Sequence, residues 1–280
     1  MNNNTFGKVY LVGAGPGAAD LITVRGAKLL AQADIVFHDA LVEPDMLELC
    51  PQAIKVPVGK RCGKLSSAQH FINKRLVDAA KQHHTVVRLK GGDPMLFGRA
   101  DEELQALSNA GIAVEVVPGI TAALAGAASL QQSLTLRGVS RSVAFVTLAQ
   151  ATEGSLAEKH QPISNPTADT LVYYMGRKDA AKIAQQLIET SPNHTRKTPV
   201  HILEAVSTPR ERHWSSTLEE LAQGAANHWF DISSPALIMI GEALQEKSHA
   251  KVKEGLQSPS TEVDNGLQNT LILANSKRRA

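Results

Sequence analysis

The stretch Val9-Tyr10-Leu11-Val12-Gly13-Ala14-Gly15-Pro16-Gly17 decides the reading of this chain, because an apolar run passes directly into a loop with three glycines. A short, uninterrupted apolar run bounded by glycine reads as a strand buried on both faces, the kind found in parallel sheets. Working outward, similar runs at 35–37, 54–58, 86–89 and 114–117 predict four more strands. Helices fit between them. Val24, Ala27 and Leu30 share one helical face, and Ser66 or Ser67 is placed to cap a helix carrying Phe71, Ile72, Leu76 and Ala79. A helix with Leu104 and Leu107 stops at Gly111, and an Ala- and Gly-rich helix over 120–130 follows Pro118. Strands alternating with helices predict a mainly parallel sheet covered on both faces.

A second unit follows, with strands expected at 143–147, 171–174, 200–204 and 236–240 and a polar loop at 151–169. Thr217 and Glu220 have the spacing of a capping box that opens a helix. The expected organisation is an α/β fold with an N-terminal domain over 7–133, a C-terminal domain over 134–246 and a flexible tail over 247–280, rich in Ser, Lys, Gln and Asn.

Composition excludes several classes. The 29 basic and 27 acidic residues leave a net charge of +2, without the basic excess of a nucleic-acid binder. Two cysteines, Cys50 and Cys62, in 280 residues suggest a reducing, cytoplasmic setting rather than a disulfide framework. The Asn-rich start is not a signal peptide, and no apolar run approaches the ~20 residues that span a bilayer. No histidine or cysteine spacing suggests a metal site.

Gly13, Gly15 and Ala18 satisfy the dinucleotide-binding fingerprint, and Asp39 stands near the end of the second strand, where a ribose-binding acid belongs. An NAD- or FAD-dependent oxidoreductase is therefore one reading. Two features oppose it. Pro16 removes an N–H from the loop, and the helical pattern starts late, near Thr23. Two further glycine-bearing loops end the fourth and fifth strands: Arg88-Leu89-Lys90-Gly91-Gly92-Asp93-Pro94 and Pro118-Gly119-Ile120-Thr121-Ala122. The first runs on into Leu96-Phe97-Gly98-Arg99 and acidic Asp101-Glu102-Glu103. Ligands of open α/β sheets bind outside the carboxyl ends of the strands, so three such loops are expected to face one crevice.

Together with Val58-Gly59-Lys60-Arg61, Tyr174-Met175-Gly176 and Ser234-Pro235-Ala236-Leu237-Ile238, these segments occur in the order and spacing of the tetrapyrrole methylases. The series resembles the uroporphyrinogen-III C-methyltransferase branch of that family from about Gly7 to Gly241. The resemblance implies two α/β domains with a ligand cleft between them, a homodimer, and S-adenosylmethionine as methyl donor with S-adenosylhomocysteine as product. It implies C-methylation of uroporphyrinogen III to precorrin-2 through precorrin-1, in siroheme or cobalamin-type biosynthesis. Another precorrin methyltransferase is the nearest alternative.

Carried across residue by residue, the resemblance gives cofactor contacts at Pro16, Gly91, Gly92, Asp93, Leu96, Thr121, Ala122, Met175 and Val206. It gives an acid/base pair, Asp39 as proton acceptor and Lys60 as donor. The acceptor's carboxylates call for a basic pocket, for which Arg61, Lys64, Arg88, Arg99 and Arg137 are candidates. Several segments depart from the family. Thr135-Leu136-Arg137-Gly138 replaces Thr-His-Arg-Asp, Thr147-Leu148-Ala149 replaces Thr-Gly-His, and Glu204-Ala205-Val206-Ser207 replaces Glu-Asn-Gly-Thr. Ala18-Ala19 stands where the family has Asp-Pro after the first glycine loop. These changes fall mostly in the second half and put the acceptor's identity more in question than the methyl donor's.

Overall fold

Val9, Leu11 and Val12 are fully buried, as a strand covered on both faces requires. They belong to β1 (Lys8–Gly13) of a computed structural model that describes residues 6–58, 65–148 and 166–246. β1 lies between β4 (Thr85–Lys90) and β5 (Val114–Val117), while β2 (Ile35–His38) and β3 (Ile54–Pro57) extend the sheet beyond β4. The order is β3-β2-β4-β1-β5 and every pairing is parallel, so all five strands end on the same edge.

Alternation along the strands sorts side chains to two faces. Val9, Leu11, Phe37 and Val86 pack with Ile72, Leu76 and Leu107 from α2 (Leu65–Ala80) and α3 (Ala100–Asn109). Val12, Val36, Val87 and Leu89 pack with Leu30 of α1 (Val24–Ala31) and with Met46. Thr23 caps α1 by accepting from the Gly26 N–H. Val24, at 72% exposed, points away from the face that buries Leu30. Ser66 and Ser67 fall inside α2 rather than before it, because the helix begins at Leu65.

The second sheet departs from the expected parallel arrangement. It comprises β6 (Val143–Thr147), β7 (Thr170–Tyr174), β8 (Pro199–Glu204), β9 (Arg212–Thr217) and β10 (Ala236–Ile240), in the order β6-β7-β10-β8-β9. Only β6 and β7 pair in parallel. The other three pairings are antiparallel. The connection from β8 to β9 is too short for a crossover, so the chain turns back on itself. β9 escaped the sequence reading because Arg-His-Trp-Ser-Ser-Thr contains no apolar run, and it lies at the sheet edge.

α5 (Ala180–Thr190) and α6 (Leu218–Ala222) cover one face of this sheet through Ile183, Leu187, Leu218 and Leu221. Thr217 accepts from Glu220 N at the start of α6, where the capping pattern placed a helix. The opposite face packs on α4 (Ala122–Ser129), which leaves the first sheet after β5. Its small residues allow the approach: a Cβ on Gly126 would lie 3.3 Å from Met239 Sδ. α4 therefore ties the two sheets together. Among the described residues no helix is long and apolar enough to cross a membrane.

Candidate functional site at the carboxyl ends of the first sheet

The loops after β1, β4 and β5 meet backbone to backbone. A Cβ on Gly119 would fall 2.3 Å from Gly92 O and 2.7 Å from Gly13 Cα. One on Gly13 would fall 2.5 Å from Gly119 Cα and 2.7 Å from Gly92 O. Real side chains do not enter such space, so glycine is required at both positions. Gly15 and Gly92, both at positive φ, form a two-way bridge, Gly15 N to Gly92 O at 3.2 Å and Gly92 N to Gly15 O at 2.7 Å. Ala14 N donates to Lys90 O at 2.7 Å, and Ala18 N donates to Ser207 Oγ at 3.1 Å.

The Ala14, Gly15 and Ala18 N–H groups of the first loop are thus spent inside the protein. The loop also leads into a short turn over Ala19–Leu21, not straight into a helix. Both points run against pyrophosphate binding of the dinucleotide type, which needs free loop N–H groups at a helix start.

Asp93 fastens two of the loops. Its Oδ2 accepts from Gly119 N at 2.9 Å and its Oδ1 from Met95 N at 2.8 Å. Thr121 begins α4, but its hydroxyl does not cap the helix. Tyr174 does: its phenol oxygen accepts from Ala123 N at 3.2 Å and shares a 2.6 Å hydrogen bond with Thr121 Oγ1. Burial pushes the Tyr174 hydroxyl's pKa up, outweighing the Thr121 and Ala123 hydrogen bonds, which pull it down. Phe97 and Phe145 flank the Tyr174 ring at 5.2 and 6.1 Å between centroids. Met175 follows in a left-handed conformation and is 56% exposed. Pro16, Gly91, Gly92, Leu96 and Ala122 are all half-buried around these loops. Val206 differs: its side chain lies in the core with Ala123, Leu203 and Leu237. Its carbonyl would sit 2.9 Å from a Cβ on Gly17, so only its backbone faces the first loop.

Asp39 stands at the end of β2, next to the end of β4, and donates its backbone N–H to Leu89 O at 3.3 Å. Its carboxylate is 30% exposed, and Oδ1 accepts from Arg88 Nη2 at 2.5 Å. Arg88, expected to face the acceptor, is instead enclosed at 3% exposure. Strand alternation turns Arg88 and Lys90 to the face covered by α2 and α3. There Glu103, with no exposed surface, accepts from Arg88 Nε at 3.0 Å, Lys90 Nζ at 2.9 Å and Gln69 Nε2 at 3.3 Å. Burial opposes the Arg88 charge, but Asp39 and Glu103 outweigh it and raise its pKa. Burial, with Arg88 adding to it, lowers the pKa of Lys90 against the pull of Glu103.

Of the remaining basic candidates, Arg99 forms a two-pronged pair with Glu102, at 2.6 and 2.8 Å, beside the Leu96-Phe97 turn. Arg137 is exposed in the turn closed by the Leu136–Ser140 bridge, in the segment between α4 and β6. Lys60, Arg61 and Lys64 lie outside the described residues, as does Ala149. Among the described residues, no three His, Cys, Asp or Glu side chains are placed to hold a metal ion.

Glu103 and Tyr174 were not singled out as site residues. Glu103 stood within an acidic helix start, the usual place for a solvated acid favoured by the helix dipole. The available signal was two cations, Arg88 and Lys90, on the same face of a buried strand, which demand a buried partner.

Gly119→Ala is expected to cost about 1–3 kcal/mol in chemical unfolding, since the added methyl must displace backbone; a loss under about 0.5 kcal/mol would show that the loops part freely. Asp93→Asn offers one oxygen where two N–H groups need acceptors. It should cost about 1.5–3 kcal/mol by the same measurement, and an unchanged midpoint would remove the fastening role.

Comparison with known proteins agrees with this geometry. The chain matches the family model of Tetrapyrrole (Corrin/Porphyrin) Methylases over residues 8–222. It is 42% identical over 240 residues to the uroporphyrinogen-III C-methyltransferase of Pseudomonas aeruginosa (strain PAO1), covering 86% of this chain and 95% of that protein. It is also 42% identical over 254 residues to the siroheme synthase of Pseudomonas fluorescens (strain Pf0-1), covering 90% of this chain and 53% of that protein. The chain thus spans about half the length of the siroheme synthases it matches. The crystal structure of uroporphyrin-III C-methyl transferase from Thermus thermophilus complexed with S-adenyl homocysteine aligns with a TM-score of 0.71 at 37% identity, covering 85% of this chain and 94% of that one. With the match running from β1 to the end of α6, this chain belongs to the tetrapyrrole (corrin/porphyrin) methylase family.

Proposed function

We propose that the chain is an S-adenosylmethionine-dependent methyltransferase that converts uroporphyrinogen III to precorrin-2 through precorrin-1, for siroheme or cobalamin-type tetrapyrrole synthesis. The observation that carries the reading is the bare-backbone meeting of three loops at Gly13, Gly92 and Gly119, beside a partly exposed carboxylate at Asp39. A surface of backbone without side chains suits the polar methionine and ribose parts of the donor. The half-buried Leu96 and exposed Met175 offer apolar contact for its adenine. These residues fit the group. The Thermus relative, complexed with the demethylated product, supports the same use here.

When bound, S-adenosylmethionine supplies an electrophilic methyl group on sulfur. The protein's task is to hold the acceptor carbon in line with that methyl at attack distance, which is a matter of orientation more than of reactive side chains. A C–C bond forms, the C–S bond breaks with its electron pair passing to sulfur, and the macrocycle then loses a proton. Asp39, with one oxygen fixed by Arg88 and the other without a protein partner among the described residues, is placed to take that proton. Lys60 is assigned the complementary donor role, and Arg61, Lys64, Arg99 and Arg137 the gripping of acceptor carboxylates. We assign the domains to 7–133 and 134–246 with the cleft between them, and read the working enzyme as a cytoplasmic homodimer.

The test is anaerobic incubation with enzymatically generated uroporphyrinogen III and S-adenosylmethionine, with products identified by mass and absorbance. One or two added methyl groups are expected, with Asp39→Ala lowering the rate about 10²–10⁴-fold. No methylation by a protein that binds S-adenosylhomocysteine would overturn the choice of acceptor. Full activity of the Asp39 variant would overturn the assigned base.

A further inference from the structure

Arg88 carries a full charge at 3% exposure in the same sheet edge as the proposed base, and four of its five N–H donors already have acceptors. Nε reaches Glu103 Oε1 at 3.0 Å, Nη1 reaches Leu89 O at 3.0 Å and Phe37 O at 3.4 Å, and Nη2 reaches Asp39 Oδ1 at 2.5 Å. The planar fork is therefore held on one side by α3 and by two strand carbonyls, and its free edge points at Asp39. We propose that Arg88 is a positioning residue for Asp39: anchored by Glu103, it locks one carboxylate oxygen and turns the other toward the ligands, and it does not itself grip the acceptor.

Three observations favour this over a grip on a tetrapyrrole carboxylate. An acceptor carboxylate would have to enter the layer under α2 and α3, where Glu103 has no exposed surface and Gln69 is buried. It would also have to displace a bond to Glu103 or Asp39 that is already charge-assisted. Finally, the charges close among themselves, two cations (Arg88, Lys90) against two anions (Glu103, Asp39), so the cluster has no surplus to offer an incoming anion. Lys90 completes the anchor. Its Cε would lie 3.2 Å from a Cβ on Gly98, so the aliphatic stem packs beneath the loop that carries Gly91, Gly92 and Asp93. The base and the donor loop are thereby referred to one buried acid.

The inference rests on the reading of Asp39 as the proton acceptor, and the experiment separates the two. Arg88→Met leaves Glu103 still paired with Lys90, while Asp39 loses its cation at a position where its carboxylate is 30% exposed to water. Glu103→Gln loosens the anchor without touching Asp39. Steady-state methylation of uroporphyrinogen III is measured for both, for Asp39→Asn and for Arg88→Met/Asp39→Asn, with S-adenosylhomocysteine binding as the check on folding.

Arg88→Met is expected to lower kcat by about tenfold or more while KM for uroporphyrinogen III stays within about twofold, since misplacing a reacting group costs rate rather than affinity. Glu103→Gln should follow in the same direction. In the Asp39→Asn background the Arg88 change should have an effect below about twofold, because the pair acts as one unit. A rise in KM of about tenfold with kcat kept, or an undiminished Arg88 effect without Asp39, would overturn the positioning role. If Arg88→Met does not bind S-adenosylhomocysteine, the Glu103→Gln split decides. Full activity of Asp39→Asn would instead strike the reading of the base, a different outcome from either.

Discussion

The constraint on which the site depends is the contact of three peptide backbones at Gly13, Gly92 and Gly119: no side chain larger than hydrogen fits at Gly13 or Gly119, and Gly92 sits at a positive φ of 68°. Parallel strands deliver their ends to one edge, but ordinarily the loops beyond them splay apart over intervening side chains. Here the loops are stripped to backbone where they meet, and the Gly15–Gly92 bridge and the Asp93 carboxylate hold them together. The surface so formed is made of peptide groups with fixed positions. Such a surface suits a ligand recognised by hydrogen bonds along its length, and it involves little loss of side-chain freedom on binding. The same economy explains why the first loop is ill suited to a dinucleotide: the Ala14 and Gly15 N–H groups are already paired with the β4 loop, and Pro16 has none.

Around that contact the protein carries charge in places where charge is costly. Removing Arg88, Lys90 and Glu103 from water costs several kcal/mol per ion before pairing, and packed hydrocarbon of the same shape would often be as stable. The sequence nevertheless keeps charged side chains on a strand whose neighbours, Val86, Val87 and Leu89, are all apolar and buried. Stability alone does not call for them. What a buried ion cluster supplies is directionality, since the fork of Arg88 fits one arrangement of acceptors and the core around it prevents others. Asp39 is where the cluster reaches the surface.

The central strands of the first sheet were legible because each carries a buried apolar run between glycine or polar breaks, whereas β3, Ile-Lys-Val-Pro at the sheet edge, is mostly exposed and left a weaker run. Strand direction in the second sheet was not legible. An apolar run such as Ala236–Ile240 reads identically in either direction, and only the length of the connections and the packing of α4 decide the pairing. Arg212–Thr217 was lost for another reason: an edge strand satisfies half its backbone with water and needs no apolar signature. At the site, the meeting of the three glycine-bearing loops was legible because close backbone approach leaves a mark in sequence. Side-chain surroundings were less legible. Arg88, a candidate for gripping the acceptor, is enclosed between Glu103 and Asp39, and the N-terminus of α4 is capped by Tyr174 from the other sheet, a contact that no local spacing announces.

The segment 205–211 shows how a departure from the family pattern is accommodated. Ala205 and Ser207 both adopt positive φ, at 48° and 60°, at the positions that align with the Asn and Thr of the Glu-Asn-Gly-Thr pattern. Left-handed backbone without glycine is unfavourable by about 1–2 kcal/mol per residue, so surrounding bonds must fix it. They are present: Ala205 N donates to Pro235 O at 3.0 Å, Ser207 N to Glu211 Oε2 at 2.5 Å, and Thr208 N to Ala205 O at 3.1 Å. The buried Val206 side chain then pins the middle of the turn to the core. Once held, the segment reaches the first half three times: Ser207 Oγ accepts from Ala18 N at 3.1 Å, Arg210 donates to Glu43 at 2.7 Å, and Glu211 accepts from Ser129 Oγ. Glu43 follows Asp39 in the loop after β2, so this strained turn fastens the outer end of the loop whose inner end Arg88 holds. The bonds around Ala205 and Ser207 and the buried Val206 side chain fix the turn at a point where both the first glycine loop and the loop carrying Asp39 are fastened to it.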